Sequence, residues 1–289
     1  AGARYTDSNR DFAGCSRDAG NGELASLFTI LSTVFAGSAP DTPVPLGGCG
    51  TLDEVTFRPG LFQGVLNEDN VSWRLGANYD LNEDTLLYAN VSQGYKSGSY
   101  PTLSATISTQ YEPVNQEKVL AYEAGFKSTL FSSRAQLNGA VFYYQYEDKQ
   151  IRGQRPDPIF GNFEALVNVP ESEVRGAELE GTFLLSENLQ VFGGVSYIDT
   201  EITDDFFNYT PLVQFQNFKG EPFPYTPKWS GNLGMEYSFP VSASSQVFVG
   251  GNVSYQDETN GGFGQLPIVD VPSYTLVDAR LGWEAQDGS

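Results

Sequence analysis

Histidine is absent from this 289-residue sequence, and the chain has only two cysteines and one methionine. Without histidine the usual general base is missing, which excludes Ser-His-Asp and Cys-His catalysis within the chain. The commonest ligand of zinc and non-haem iron is missing as well. The sequence therefore predicts no metal site and no cofactor.

Basic residues are also scarce, since 16 Lys and Arg face 36 Asp and Glu, a formal charge of −20. A chain this acidic repels polyanions, so nucleic acid is excluded as a partner. No run of 18 or more apolar residues occurs, which excludes a transmembrane helix. A transmembrane barrel stays possible, because its strands show lipid only every second side chain.

The two cysteines, Cys15 and Cys49, lie in a stretch rich in Gly, Pro, Ser and Asp. We expect a disulfide that closes a long loop, which implies an oxidising compartment. Such a bond stabilises by about 3–4 kcal/mol in the chain-entropy model. Two free buried thiols are the alternative.

From about residue 70 onward, apolar side chains recur with a period of two, which is typical of β-strands. Val71, Trp73 and Leu75, for example, alternate with Ser72 and Arg74. The alternating segments are 71–80, 87–92, 120–127, 137–144, 177–183, 191–197, 229–237, 247–254 and 277–283. With a short strand at 3–11, the sequence predicts ten strands.

The connections between these strands alternate between short and long. Short turns are predicted near 81–85, 130–134, 185–188 and 240–245. Long loops are predicted near 12–69, 97–113, 152–165, 204–226 and 257–272. Short turns at one end and long loops at the other are typical of outer-membrane barrels, with the turns periplasmic and the loops extracellular.

The two faces of the strands differ in chemistry. One face carries Leu, Val, Ala, Gly and aromatic residues, as a lipid-facing surface would. The other carries the charged residues Arg74, Glu123, Lys127, Glu178, Glu180, Glu236, Asp278 and Arg280. Near the short turns an aromatic girdle is predicted from Tyr79, Phe126, Phe183, Tyr237, Phe239 and Trp283. The predicted fold class is all-β, an antiparallel transmembrane β-barrel.

Five segments resemble TonB-dependent outer-membrane receptors, and they occur in the order of that family. They are LLYANVSQGYKSG (86–98), VLAYEAGFKSTLFSSRAQLNGAVFYYQYEDKQI (119–151), SEVRGAELEGTFLLSENLQVFGGVSYIDTEI (172–202), PYTPKWSGNLGMEYSF (224–239) and SYTLVDARLGW (273–283). The resemblance implies a 22-stranded barrel with a plug in its lumen. Residues 1–289 would supply about ten of those strands. The plug domain, the first barrel strands and the final closing strands would lie outside the sequence.

The resemblance also implies a location and a function. The chain is expected in the outer membrane of a Gram-negative bacterium, in contact with outer-membrane lipid. It would serve active uptake of a scarce small-molecule nutrient: a ferric siderophore, cobalamin or a saccharide. Energy would come from the TonB complex, which would contact the missing N-terminal parts. The lack of histidine disfavours haem as the ligand.

Clustered aromatic residues in the predicted loops are the candidates for ligand contact, because aromatic faces stack on catechols, macrocycles and sugar rings. They are Tyr95, Tyr100, Phe206, Phe207, Tyr209, Phe215 and Phe218. Hydrophobic packing among the loops is the alternative role for the same residues.

Three other functions fit parts of the pattern. A passive porin would share the barrel but lack a plug, and a β-rich surface adhesion module would fold without lipid. A carboxylate-based glycosidase could use Glu178 and Glu180, which lie on one face of one strand. Charged residues that line a wet lumen recur at the same spacing, so we expect no catalytic residue.

Overall fold

One antiparallel sheet of ten strands dominates the computed structural model, which describes residues 1–157, 161–242 and 244–285. Its strands are β1 (Gly2–Gly14), β2 (Phe62–Asn82), β3 (Thr85–Lys96), β4 (Glu117–Leu130), β5 (Ala135–Asp157), β6 (Gly161–Leu184), β7 (Leu189–Ile202), β10 (Trp229–Ser242), β11 (Ser245–Gln256) and β14 (Tyr274–Ala285). Two small hairpins add β8 (Phe207–Tyr209) with β9 (Phe215–Asn217), and β12 (Thr259–Asn260) with β13 (Asp270–Val271). The helices are α1 (Glu23–Ala36) and two short 3₁₀ turns, Ser108–Tyr111 and Pro267–Val269.

The strands follow one another in the sheet in the order β1-β2-β3-β4-β5-β6-β7-β10-β11-β14, with every neighbouring pair antiparallel. All ten predicted strands are therefore confirmed. No helix among the described residues is long and apolar enough to cross a bilayer.

Because apolar and polar side chains alternate along each strand, they lie on opposite faces of the sheet. On the apolar face, Leu233 is 62% exposed and Leu281 is 78% exposed. On the polar face, Arg280 forms an ion pair with Glu236 across β11 at 2.7 Å. Asn138 donates a hydrogen bond to Glu180 at 3.0 Å. A polar face with bonded charges and an apolar face without protein cover is the arrangement that a membrane barrel needs.

A second aromatic row lies on the apolar face toward the long loops, and alternation alone did not predict it. Tyr122 faces Tyr143, and Tyr197 faces Trp229, with ring centroids 6.3 Å and 4.9 Å apart. On β10, Trp229 in this row lies about 27 Å along the strand from Tyr237, which belongs to the aromatic girdle predicted near the short turns. At a strand tilt of about 35–45°, that separation projects to about 20 Å along the barrel axis, slightly less than the apolar band of about 25 Å in outer-membrane barrels.

The predicted long loops contain regular structure, and two of them depart most from the prediction. The predicted loop 12–69 contains the helix α1, and β2 begins inside it at Phe62. The predicted loop 152–165 is wrong, because β5 and β6 stay paired from Lys149↔Val169 to Asp157↔Gly161. Gly, Pro and Asp are common in loops, but here the backbone hydrogen bonds to the partner strand continue through the segment. Residues 158–160 of that prediction lie outside the described part of the chain.

The buried apolar residues lie mainly among the loops and not beneath the sheet. One cluster consists of Val169, Ile202, Phe206, Phe218, Phe223 and Phe263. The other consists of Ala25, Phe28, Val44 and Leu52. The long-loop end is therefore a packed layer that holds defined surfaces above the sheet.

Candidate ligand-binding site at the long-loop end

The segment between β1 and β2 is closed by a disulfide between Cys15 and Cys49, 34 positions apart. Its first turn is organised by Asp18, whose carboxylate accepts backbone hydrogen bonds from Gly20, Gly22 and Ala25 at 2.6–3.1 Å. These bonds, that from Gly22 first, hold the pKa of Asp18 below its usual value. The carboxylate thereby caps α1, although it lies outside the helix.

This disulfide-closed segment packs against the loop between β3 and β4. The Ser16 hydroxyl donates to the Ala105 carbonyl at 2.8 Å, and Thr51 donates to the same oxygen at 2.7 Å. The Leu52 amide donates to the Thr106 carbonyl at 2.8 Å. Two loops that are distant in sequence thus form one layer.

An aromatic cluster anchors that layer to the sheet. Tyr100 stacks on Phe12 with ring centroids 4.7 Å apart and planes within 7°. Tyr111 contacts Phe12 and Phe62, with centroids 5.3 Å and 5.6 Å away. The stacking fixes the position of the 99–103 segment, which forms one wall of an adjacent cleft.

The cleft lies between this segment and the extended β5–β6 hairpin and has a volume of about 630 Å³. Its lining includes Tyr100, Leu103, Arg152, Arg155 and Leu166. Leu103 and Leu166 are exposed, so the cleft offers apolar walls to a ligand. Its volume lies within the range of small-molecule sites.

Two guanidinium groups line the cleft. Arg152 forms an ion pair with Glu164 at 3.2 Å, and both side chains are exposed. Arg155 is half-buried and donates a hydrogen bond to the Glu112 carbonyl at 2.7 Å. Burial lowers the pKa of Arg155, an effect that the Glu112 carboxylate partly offsets. Arginine stays charged at neutral pH despite such a shift, so the cleft lining carries two positive charges against the one carboxylate of Glu164.

A second loop layer joins the β7–β10 and β11–β14 connections. Phe263 packs on Phe218 and Phe206, with ring centroids 4.9 Å and 5.4 Å away. The Gly264 amide donates to the Glu221 carboxylate at 2.8 Å. Burial raises the pKa of Glu221. The two loops are therefore held together by a buried aromatic core and a carboxylate contact.

The structure divides the predicted aromatic candidates into groups with different surroundings. Phe206 and Phe218 are buried in the second layer, so they have the alternative role of hydrophobic packing among the loops. Tyr95 lies in β3 and not in a loop. Phe207 and Phe215 are 55% and 61% exposed, with ring centroids 5.9 Å apart. Tyr209 contacts Phe215 at 5.0 Å. The exposed rings of the β8–β9 hairpin and Tyr100 in the cleft are therefore free to meet a ligand, whereas Phe206 and Phe218 are not.

The sequence pattern did not reveal the two arginines of the cleft. They are three positions apart, and simple alternation places such residues on opposite faces of a strand. The only indication in the sequence was that two of its 16 basic residues fall within four consecutive positions.

Comparison with known proteins identifies the family of this chain. The family model described as TonB dependent receptor-like, beta-barrel, matches residues 1–288. The chain belongs to this family. The matching barrel fold places it in the outer membrane, with the short turns periplasmic and the long loops extracellular.

Individual relatives agree with that assignment. The chain is 26% identical over 231 residues to the pesticin receptor of Yersinia pestis, covering 78% of this chain and 30% of the relative. It is 26% identical over 218 residues to the ferrichrome outer membrane transporter/phage receptor of Escherichia coli K12, covering 75% and 26%. The crystal structure of the ferric-catecholate import receptor Fiu of Escherichia coli K12, in its closed form, superposes with a TM-score of 0.63 at 17% identity. That match covers 98% of this chain and 35% of Fiu and concerns the fold.

The chain thus spans about a third or less of the length of these three relatives. All three are named as receptors or transporters and not as enzymes.

Proposed function

We propose that the protein of which this chain forms a part takes up a ferric siderophore across the outer membrane, with energy from the TonB system. The observation that carries the proposal is the family match over 1–288, together with a packed extracellular layer that presents an aromatic and basic cleft. The ferrichrome transporter among the relatives supports an iron complex over cobalamin or a saccharide as the ligand.

In this proposal residues 1–289 form part of the barrel, and a plug domain and further strands lie elsewhere in the full-length protein. The coverage of 30% of the pesticin receptor supports this division. TonB would act on the plug, and the chain itself would bind ligand and catalyse no reaction. A passive porin is the second candidate, but the receptor family match favours coupled uptake.

Uptake of radiolabelled ferric siderophores by cells that carry the full-length receptor tests the proposal. We expect uptake only when both the receptor and a working TonB system are present. Receptor-dependent uptake that persists without TonB would mean a porin. No receptor-dependent uptake of any ferric complex would mean that the ligand class is wrong.

The exposed ring pair of the β8–β9 hairpin provides a residue-level test. Replacing Phe207 and Phe215 together with Ala should weaken ligand binding about threefold to tenfold, because ring stacking contributes about 0.5–1.5 kcal/mol per pair. The matched control is Phe131→Ala, since Phe131 is 73% exposed but lies at the short-turn end. Equal affinity of the double variant and the control would remove the hairpin from the site.

A further inference from the structure

The cleft between the 99–103 segment and the β5–β6 hairpin is lined by two arginines and one carboxylate, Glu164, in a chain that is strongly acidic. The chain carries a net charge of −20, yet Arg152 and Arg155 both line this cleft. Of the two, Arg152 already has a carboxylate partner, Glu164. Arg155 is therefore the group whose chemistry defines what the cleft can hold.

Arg155 has donor capacity to spare. A guanidinium carries five N–H donors. Among the described residues, Arg155 donates one hydrogen bond, to the Glu112 carbonyl, and forms no ion pair within 4.0 Å. The neighbouring Glu112 side chain is exposed to solvent. A half-buried cation without an ion-pair partner gains most from an anionic ligand, because charge-assisted hydrogen bonds are the strong ones.

The other wall of the cleft suits a flat apolar group. Tyr100 is held by its stack on Phe12, so its ring is fixed before a ligand arrives. Leu103 and Leu166 provide exposed apolar surface beside it. The cleft therefore joins a fixed aromatic ring, two aliphatic walls and a cation within about 630 Å³.

We infer that this cleft selects ferric complexes with net negative charge and planar aryl-oxygen ligands, such as catecholates, over neutral trishydroxamate complexes. The inference rests on the proposed uptake of a ferric siderophore and names the class of complex that the site prefers. The negatively charged oxygens accept hydrogen bonds from Arg155, and the aryl ring packs between Tyr100 and the leucines. A neutral complex adds no charge to offset the burial of the Arg155 guanidinium, which the exposed Glu112 carboxylate offsets only in part.

Binding to the full-length receptor in detergent tests the inference with two probes, the anionic ferric tris-catecholate complex and the neutral trishydroxamate ferrichrome. We expect the wild-type receptor to bind the tris-catecholate at least about tenfold more tightly. Arg155→Gln should weaken tris-catecholate binding about tenfold to a hundredfold and leave ferrichrome binding nearly unchanged, since hydrogen bonds to charged groups are worth that much. Arg155→Lys keeps the charge and should retain part of the preference.

The matched control is Arg58→Gln, which makes the same change of charge at the same end of the molecule. Arg58 bonds to Ser38 in the disulfide-closed segment, away from the cleft. Arg152→Gln alters an exposed position and should shift the preference in the same direction, which keeps the inference testable if Arg155→Gln does not assemble. Tyr100→Leu should weaken tris-catecholate binding while the charge is unchanged.

Each other result overturns the inference in a recognisable way. Equal affinity of the wild-type receptor for the two probes, or equal weakening of both by Arg155→Gln, means that the cleft does not select by charge. If Arg58→Gln weakens tris-catecholate binding as much as Arg155→Gln does, the net charge of the protein and not the cleft decides the affinity. Binding of neither probe also overturns the inference, and the uptake test with other ferric complexes then decides the proposed function separately. The first three outcomes leave uptake of a ferric complex intact.

Discussion

Asp18 organises the start of the disulfide-closed segment through its backbone hydrogen bonds. Its carboxylate collects three amide donors ahead of and within the first turn of α1. Because the α1 N-cap, Gly22, has no side chain, Asp18 takes the capping role from four positions upstream. The charge also lies near the positive end of the helix dipole.

The lowered pKa of Asp18 gives the segment a defined pH dependence. A carboxylate whose folded pKa lies below its unfolded value stabilises the fold above the unfolded pKa, and this contribution disappears as pH falls through the folded pKa. We expect Asp18→Asn to increase proteolysis of the 15–61 segment at neutral pH and to remove the acid-dependent part of its loosening. The control is Asp41→Asn, an exposed position in the same segment. Equal proteolysis of the two variants would show that the charge of Asp18 does not stabilise this segment.

At the scale of the strands, aromatic rings on the polar face lie over glycines of the neighbouring strand. In each case the two residues are direct cross-strand partners, and a Cβ on the glycine would overlap the ring. The pairs are Tyr88 with Gly125, Phe142 with Gly176, Phe192 with Gly234, and Phe248 with Gly282. These aromatic rings therefore lie flat against the sheet, although their positions belong to its otherwise polar face.

These pairs predict that glycines on one face differ sharply in their tolerance of a methyl group. Gly234→Ala should destabilise the barrel by about 1–3 kcal/mol, because the added Cβ displaces the Phe192 ring. Gly76→Ala is the control, since its Cβ would meet its nearest neighbours at ordinary distances of 3.5–3.6 Å. Urea unfolding of the full-length receptor from lipid vesicles measures both. A loss for Gly76→Ala as large as that for Gly234→Ala would contradict the packing argument.

The whole molecule keeps its apolar surface on the outside of the sheet and its buried core among the loops. This arrangement, the reverse of that in a water-soluble protein, follows from the surroundings of each part. Lipid covers the apolar face, so the sheet needs no second protein layer there, whereas the extracellular loops stand in water and must bury their own apolar residues.

Two neighbouring positions on β10 test that assignment of the faces. Leu233→Arg puts a charge into the apolar band and should cost about 2–4 kcal/mol near the bilayer midplane. Asn232→Arg adds the same side chain to the polar face and should cost little, because that face already holds charged residues. Heat-modifiable migration of the full-length receptor and its amount in the outer membrane report assembly. Equal loss for the two variants would mean that the faces are assigned wrongly.

Alternation along the chain was sufficient to predict the ten strands, their faces and the short turns, because in a strand the direction of each side chain is a local property. Cys15 and Cys49 also indicated a closed loop from composition alone. The same local rule failed for the 152–165 segment, which was predicted as a loop although the ladder between β5 and β6 continues.

The tertiary structure alone decided how the loops meet. Tyr100 joins Arg155 in one cleft, and Phe218 meets Phe263, although each pair is separated by more than forty positions in the sequence. Such contacts depend on which strands are neighbours in the sheet and on how far each hairpin extends beyond it. The period of two and the composition predict on which face of a strand a residue lies, but not which distant residues it contacts. The barrel wall could therefore be predicted from the sequence, whereas the cleft could be found only in the tertiary structure.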